Sequence, residues 1–193
     1  LSRHSAIKLP TRIEPLGLLA DSAGRRLNVR DYALPALAQI MHDVLIVAVV
    51  GTSMNAGKTT TASNLIAGLN RCGHSVGAAK LTGTGAHGDY FAMLDAGADI
   101  VLDFTDAGFV STYLLELVQL QTIFSTLVAQ LKAHGATAIV LEVADGLYQR
   151  ETAMLLQSEL FSQHVDGILM AARDAAGAVA GIDWLQQRRL PVI

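Results

Sequence analysis

The chain predicts an α/β fold of three layers: a doubly wound, mostly parallel sheet with helices on both faces, preceded by a small N-terminal hairpin segment. Three observations carry this. From Val44 onward, short apolar and β-branched runs alternate with helical patterns, which is the mark of βαβ units whose strands are buried on both faces. The first of these runs passes directly into a loop of small residues and then a helix start. At 193 residues, 51% of them hydrophobic and 16% charged, the chain can bury a large core without disulfides or metal staples.

Residues 13 to 34 read as a hairpin: an apolar run from Pro15 to Ala20, the turn Asp21-Ser22-Ala23-Gly24, and a return from Arg26 to Tyr32. Pro35 opens a short helical stretch to about Met41. The expected division is therefore an N-terminal hairpin segment and linker over 1–42, the remnant of a further domain, and an α/β domain over 43–193. The apolar ending Leu190-Pro191-Val192-Ile193 reads as the opening of a strand, so this domain is expected to be truncated at its C-terminus. Strands are expected at Leu45 to Val50, Ser75 to Lys80, Ile100 to Phe104, Ala138 to Val143, Gly167 to Ala171 and from Pro191 onward. Helices are expected at Lys58 to Asn70, Tyr90 to Ala96, Ser111 to Ala133, Thr152 to Ser162 and Ala176 to Arg188. In the longest, Leu114, Leu117, Val118, Leu120, Phe124, Leu127, Val128 and Leu131 recur at three- and four-residue steps, a stripe that faces the sheet.

Composition excludes several classes. A net charge of −3 gives no bulk attraction to nucleic acid or to an anionic membrane surface, so neither is expected as a partner. Mean hydropathy is high at +0.39. Even so, the apolar run Val44 to Val50 is far short of the ~20 residues a bilayer requires, and the stretch from Val110 to Leu131 carries Glu116, Gln119, Gln121 and Gln130. The start, Leu1-Ser2-Arg3-His4, has no apolar signal region. The single cysteine, Cys72, cannot form an internal bridge, which fits a reducing, cytoplasmic setting; in its turn between helix and strand it reads as a passive small side chain.

The chemistry is concentrated in Val44 to Thr60: a buried strand, then Gly51-Thr52-Ser53-Met54-Asn55-Ala56-Gly57-Lys58-Thr59-Thr60. In a phosphate-binding loop, backbone N–H groups line a concavity and the following helix adds its positive end, so a polyphosphate replaces water there. Gly57 lets the backbone approach closely, Lys58 reaches the β- and γ-phosphates, and the Thr59 hydroxyl sits on Mg²⁺. The strict pattern places its first glycine where Thr52 stands, one residue after Gly51, so the loop is one residue longer between its glycines. Gly51, Thr52, Asn55, Ala56, Gly57, Lys58, Thr59 and Thr60 are the expected nucleotide-binding residues, which makes 43–193 a P-loop nucleotide-binding domain.

The spacing Gly51-Thr52-x-x-x-x-Gly57-Lys58-Thr59 resembles the loop of dethiobiotin synthetase and of the cobyrinic and cobyric acid amide synthases, ATP-dependent P-loop NTPases with a mostly parallel sheet. Lys80-Leu81-Thr82-Gly83-Thr84-Gly85-Ala86-His87-Gly88-Asp89 is similar to the turn after which dethiobiotin synthetase holds substrate and then a metal-binding Asp. Val140-Leu141-Glu142-Val143-Ala144-Asp145-Gly146-Leu147 resembles the Glu-Gly-x-x-Gly-Leu segment whose Glu binds Mg²⁺. The stretch from Lys80 through Ala96-Gly97-Ala98 is also similar to the molybdopterin-guanine dinucleotide biosynthesis protein B, a GTP-binding protein. The resemblance spans residues 44 to 193 and is closest at the loop. Two positions depart from it: Val143 stands where the relatives have Gly, and Ser53 stands where many proteins of this class carry a second lysine.

The remaining candidates follow from their positions. Glu142 ends an apolar strand where a hard oxygen ligand for Mg²⁺ is expected, Asp145 offers the same chemistry three residues on, and a solvated or capping role is the alternative. Asp89 is a metal carboxylate or the N-cap of a helix beginning at Tyr90. Lys80 emerges at the carboxyl edge of the sheet, where open α/β sheets bind ligands, and either holds a substrate carboxylate or forms an ordinary ion pair. His87 is a phosphate ligand or a solvated loop histidine; the other histidines show no zinc-ligand spacing. Asp103 and Asp106 read as turn residues more than site residues, and Arg173-Asp174 is only a candidate ribose or base contact.

The expected function is Mg-dependent binding of a nucleoside triphosphate, ATP or GTP, used to activate a small carboxylated substrate through an acyl- or carbamoyl-phosphate, with Lys58 and Lys80 as the catalytic cations and Thr59, Glu142 and Asp89 on the metal. This is the chemistry of a ligase or of a hydrolase acting in cofactor biosynthesis. The alternatives are a GTP-binding accessory protein and a non-catalytic, nucleotide-gated regulator; a homodimer is admissible. Substitution of Lys58 by Ala is expected to abolish triphosphate binding and spare the fold, on the premise that a loop lysine is exposed.

Overall fold

A computed structural model describes residues 12–37, 44–85 and 87–193. The elements are β1 (Leu45–Gly51), α1 (Lys58–Arg71), β2 (Val76–Lys80), α2 (His87–Asp95), β3 (Ile100–Asp103), α3 (Leu117–Ala133), β4 (Ala138–Glu142), α4 (Arg150–Leu156), α5 (Glu159–His164), β5 (Gly167–Ala171) and α6 (Ala175–Gln187). The five strands form one all-parallel sheet in the order β3-β2-β4-β1-β5. Along β1 the side chains alternate between two cores. Ile46, Ala48 and Val50 pack with α3, α4, α5 and α6, while Val49 joins Ala62, Ile66, Val76, Ala78, Met93 and Val140 beneath α1 and α2. Both faces of the central strands are thus apolar, which is why β1 and β4 are near-continuous hydrophobic runs. Among the described residues no helix is long and apolar enough to cross a membrane.

The elements differ from expectation where local polar groups outweigh periodicity. Helix α3 begins at Leu117 instead of Ser111, because Leu114 takes a left-handed conformation (φ 60) and its N–H donates to Glu151 Oε1 at 2.7 Å. Glu116 and Gln119 then close a reciprocal cap. Leu114, now ahead of the helix, and Val118, on its outer face, were both expected in the buried stripe and are exposed. The helix expected over 152–162 is two, α4 and α5, broken at Ser158, whose Oγ donates to the Leu155 carbonyl and accepts from Phe161 N–H. Helix α2 begins at His87, so Asp89 lies in its first turn and is not its N-cap. Residues 35–37 are not helical, and the rest of the stretch expected to reach Met41 lies outside the described residues. From Pro191 the chain makes a single parallel bridge, Ile168↔Val192, to β5.

The N-terminal hairpin forms around an antiparallel bridge, Ala20↔Arg26, its turn closed by Asp21 Oδ1, which accepts from the N–H groups of Ala23 and Arg25. It docks through the segment that follows: Leu34 N–H donates to the Asp106 carbonyl at 2.7 Å, and the Gln130 amide to the Pro35 carbonyl at 2.8 Å. Ile13, Leu16, Leu18 and Leu19 remain exposed.

Candidate functional site

The site lies at the carboxyl edge of β1, β4 and β2. Strand register brings its parts together: Glu142 at the end of β4 is the neighbour of Val49 on one side and of Lys80 on the other. The chain leaves β1 at Gly51, with Thr52 N–H donating to the Ala171 carbonyl of β5 at 3.0 Å. A Cβ on Gly51 would stand 2.9 Å from Lys58 Cγ and 3.1 Å from the Ala171 carbonyl oxygen, so a glycine here lets the lysine stem fold back across the strand end. Close packing therefore accounts for a glycine at 51. Gly57, in the left-handed region at φ 102, starts α1 with no side chain capping it. The first N–H bonded into the helix is that of Thr61, to the Gly57 carbonyl at 2.9 Å, which leaves the amides of the first turn directed out of the helix end.

Lys58 is buried, at 6% exposure, and its Nζ donates to the carbonyls of Ser53 at 2.8 Å and Asp145 at 2.9 Å. Burial pushes its pKa down, against the opposing charges of Glu142, Asp145 and Asp89. The premise that this lysine is an exposed loop side chain is corrected: it ties the phosphate loop to the loop after β4. That second loop is shaped for the contact, since Leu147 N–H donates to the Gly51 carbonyl at 3.0 Å.

The Thr59 hydroxyl lies between two carboxylates, 3.0 Å from Asp89 Oδ1 and 3.1 Å from Glu142 Oε1, and its single proton can serve only one of them. The other oxygen of Glu142, Oε2, is buried with no hydrogen-bond partner. Burial, reinforced by the charge of Asp89, raises the Glu142 pKa to about 7 against the pull of Thr59, Lys80 and Lys58. Asp89 is different: burial works against its charge, but an ion pair with Lys80, the Thr59 hydroxyl and Lys58 outweigh it and hold the carboxyl below its ordinary value. Lys80 is itself buried at 7% exposure, its Nζ bonded to Asp89 Oδ2.

A cavity of about 540 Å³ runs over this cluster, from Asn55 and the first turn of α1 to Lys80, Gly83 and Thr84. Of the loop residues expected to cradle phosphate, Asn55, Gly57, Lys58, Thr59 and Thr60 line it, while Gly51, Thr52 and Ala56 do not. The donor set suits Mg²⁺: a hydroxyl and two carboxylates, one with an orphaned buried oxygen, are hard ligands for an ion that keeps waters and phosphate oxygens in its shell. No cluster of three or more His, Cys, Asp or Glu side chains that could cage a metal occurs among the described residues, and Asp145 contributes its carbonyl to Lys58.

Other candidates stand apart. His87 is exposed and packs against Tyr90 and Phe91, with ring centroids 6.4 and 6.0 Å away. Asp103 and Asp106 close the turn after β3: Asp103 Oδ1 accepts from Thr105 N–H at 2.7 Å and Asp106 Oδ2 from Asp103 N–H at 2.8 Å. Asp174 N-caps α6 through Gly177 N–H, and Arg173 is exposed at the end of β5. Two residues that sequence reasoning left without a role support the site. Gly146 packs under Thr52, and Thr112 pins the cavity wall, its Oγ1 accepting from Gly83 N–H at 2.8 Å. Gly146 carried a signal in its neighbourhood, Asp-Gly after a strand; Thr112 had none. Val143, the departure from the Glu-Gly pattern, is buried in the larger core, so its side chain points away from the cavity.

No protein-family model matches the chain, and no curated protein matches it. Solved structures do. The signal recognition particle receptor FtsY of Elizabethkingia anophelis in complex with GDP superposes with a TM-score of 0.54 at 14% identity, over 82% of this chain and 50% of that one. The kinase domain of the Escherichia coli tyrosine kinase ETK gives 0.51 at 14% identity, over 79% and 66%. A nucleotide-binding protein from Archaeoglobus fulgidus in complex with ADP gives 0.52 at 16% identity, over 77% and 63%. The chain thus spans about half to two thirds of the length of these structures. Its fold is that of the P-loop NTPases, an all-parallel five-stranded sheet between helices with the phosphate-type loop after β1.

Proposed function

We propose that the chain binds a nucleoside triphosphate with Mg²⁺ on residues 51–60 and uses it to activate a small carboxylated substrate. The observation that carries this is the convergence, in one cavity, of the uncapped helix end, Lys58, the Thr59–Glu142–Asp89 cluster and a second buried cation, Lys80. A protein that only held nucleotide would need the first three. The resemblance of the loop and of the Glu142 segment to dethiobiotin synthetase and the cobyrinic acid amide synthases supports the same reading.

In this account the first-turn amides and Lys58 hold the phosphates, and Thr59, Glu142 and Asp89 hold the metal. Mg²⁺, when held there by Thr59, Glu142 and Asp89, would supply neutralisation of phosphate charge. A carboxylate oxygen of the substrate, positioned by Lys80, attacks the γ-phosphorus; the new O–P bond forms as the bond to the β–γ bridging oxygen breaks, and the nucleoside diphosphate leaves. Lys58 and Lys80 work by position and charge, so no covalent nucleophile of the chain is required. The test is to supply ATP or GTP with Mg²⁺ and a panel of small mono- and diacids, with hydroxylamine as trap. Acid-dependent diphosphate release with hydroxamate formation is expected. Release that is indifferent to every acid, with no trapped product, sinks the activation step.

A second reading, a GTP-binding accessory protein, rests on the GDP held by the FtsY structure and on the similarity of residues 80–98 to the molybdopterin-guanine dinucleotide biosynthesis protein B. A strong preference for GTP with negligible turnover favours it. A nucleotide-gated lid formed by the N-terminal segment gains no support, because none of residues 12–37 lines the cavity.

A further inference from the structure

We infer that Asp89 masks Lys80 in the metal-free site and releases it when Mg²⁺ enters, so that the acid substrate can bind only after the metal and nucleotide. This rests on the reading above and deepens it by fixing the order in which the ligands assemble.

One carboxylate is claimed from two sides. Asp89 Oδ2 holds the Lys80 ammonium, and Asp89 Oδ1 accepts from the Thr59 hydroxyl at 3.0 Å. The pair is shielded: the side chain of Lys80 is 8% exposed and that of Asp89 31%. A Cβ on Gly83 would stand 3.2 Å from Lys80 Cε, so the lysine runs close beneath the loop after β2, with its ammonium bonded to Asp89. In this state a substrate carboxylate would have to displace a carboxylate already in place, at no gain in charge.

A divalent ion at Thr59 changes the balance. Thr59 touches both Asp89 and Glu142, so Asp89, the partner of Lys80, is one of the groups that would hold a cation there. Such a cation attracts the Asp89 carboxylate more strongly than a single positive charge does, and it repels Lys80. Lys80 then faces the Gly83–Thr84 end of the cavity without Asp89 as its ion-pair partner, and a small acid can take that place. A buried cation left unpaired is costly, so the released lysine also favours binding of an anion over a neutral analogue.

The test reads the lysine directly. Protein in ADP with EDTA, and in ADP with Mg²⁺, is acetylated with a succinimidyl ester, and the rates at Lys58, Lys80 and Lys132 are followed by peptide mass spectrometry; calorimetry on the same samples reports ADP binding. ADP is used because it lacks the γ-phosphate that would cover Lys80. Acetylation of Lys80 is expected to rise about tenfold with Mg²⁺, the factor expected when a partly shielded ion pair opens, with Lys132 unchanged. In Asp89→Asn it is expected to be fast in both conditions. Equal Lys80 rates with and without Mg²⁺ while ADP is bound, or a slow Lys80 in Asp89→Asn, overturn the inference and leave nucleotide binding standing. Failure of ADP to bind at all removes the proposed function, and this inference with it.

Discussion

The backbone of Gly146 lies directly against that of Thr52: a Cβ at 146 would stand 3.0 Å from the Thr52 carbonyl carbon and 3.3 Å from Ser53 Cα. The loop after β4 is therefore the shelf on which the phosphate loop rests. Gly146→Ala has to push that loop aside, at a cost of about 1–3 kcal/mol, and it disturbs the amides proposed to hold phosphate. A lower unfolding temperature together with roughly tenfold weaker Mg·ADP binding by calorimetry is expected. A variant with wild-type affinity would show that the contact does not shape the cradle.

Glu142 sets a pH dependence whose sign is opposite to that of a paired carboxylate. Its pKa is about 7 in the folded protein against an ordinary 4.5, so between these values the folded state binds more protons than the unfolded chain. Its contribution to stability is greatest below about 4.5, falls as pH rises, and levels off above about 7. The loss is on the order of 3 kcal/mol, and Glu142→Gln should abolish it. Asp89, with its pKa lowered, acts in a more acid range, and Asp106, raised by burial, is common to wild type and variant, so the comparison with Glu142→Gln isolates Glu142 between about pH 5 and 8. Urea unfolding of metal-free protein across that interval tests this; identical pH profiles for wild type and Glu142→Gln contradict it.

Lys58 is a brace, and in the proposed function a phosphate ligand as well. Lys58→Ala removes two hydrogen bonds to backbone carbonyls and the stem that crosses Gly51, so it should lose triphosphate binding and also about 1–2 kcal/mol of stability. Lys58→Met keeps most of the stem, and should recover part of the stability but none of the binding. Thermal unfolding and calorimetry on the two variants separate the roles. Equal stability of Lys58→Ala and wild type would restore the view of an exposed side chain.

Glu151 reaches the site indirectly. It accepts from Leu114 N–H and pairs with Arg150, holding the segment whose Thr112 bonds to Gly83. Glu151→Ala should cost about 1–3 kcal/mol and speed amide exchange at Leu114 and Gly83. Hydrogen exchange confined to Leu114, with Gly83 unchanged, would break the link to the cavity wall.

Strands and most helices were legible because burial on both faces leaves an unmistakable apolar signature, as in Leu45–Gly51 and Ala138–Glu142. The loop from Gly51 to Thr60 was legible because small residues between a strand and a helix have few other uses. What stayed hidden depended on contacts between residues distant in sequence. Nothing local tells Leu114 that Glu151 will take its N–H, so periodicity alone places the helix start six residues ahead of Leu117. The burial of Lys58 and the Lys80–Asp89 pair likewise exist only once β1, β2 and β4 are in register.

The central claim is that the amides at the β1–α1 junction hold polyphosphate. Its most direct measurement is a titration of ¹⁵N-labelled protein with Mg·ADP, followed by amide chemical shifts. The account predicts the largest shifts at residues 51–60, with Lys58→Ala silent under the same conditions. Shifts centred elsewhere, or a junction unmoved at saturating nucleotide, would contradict it.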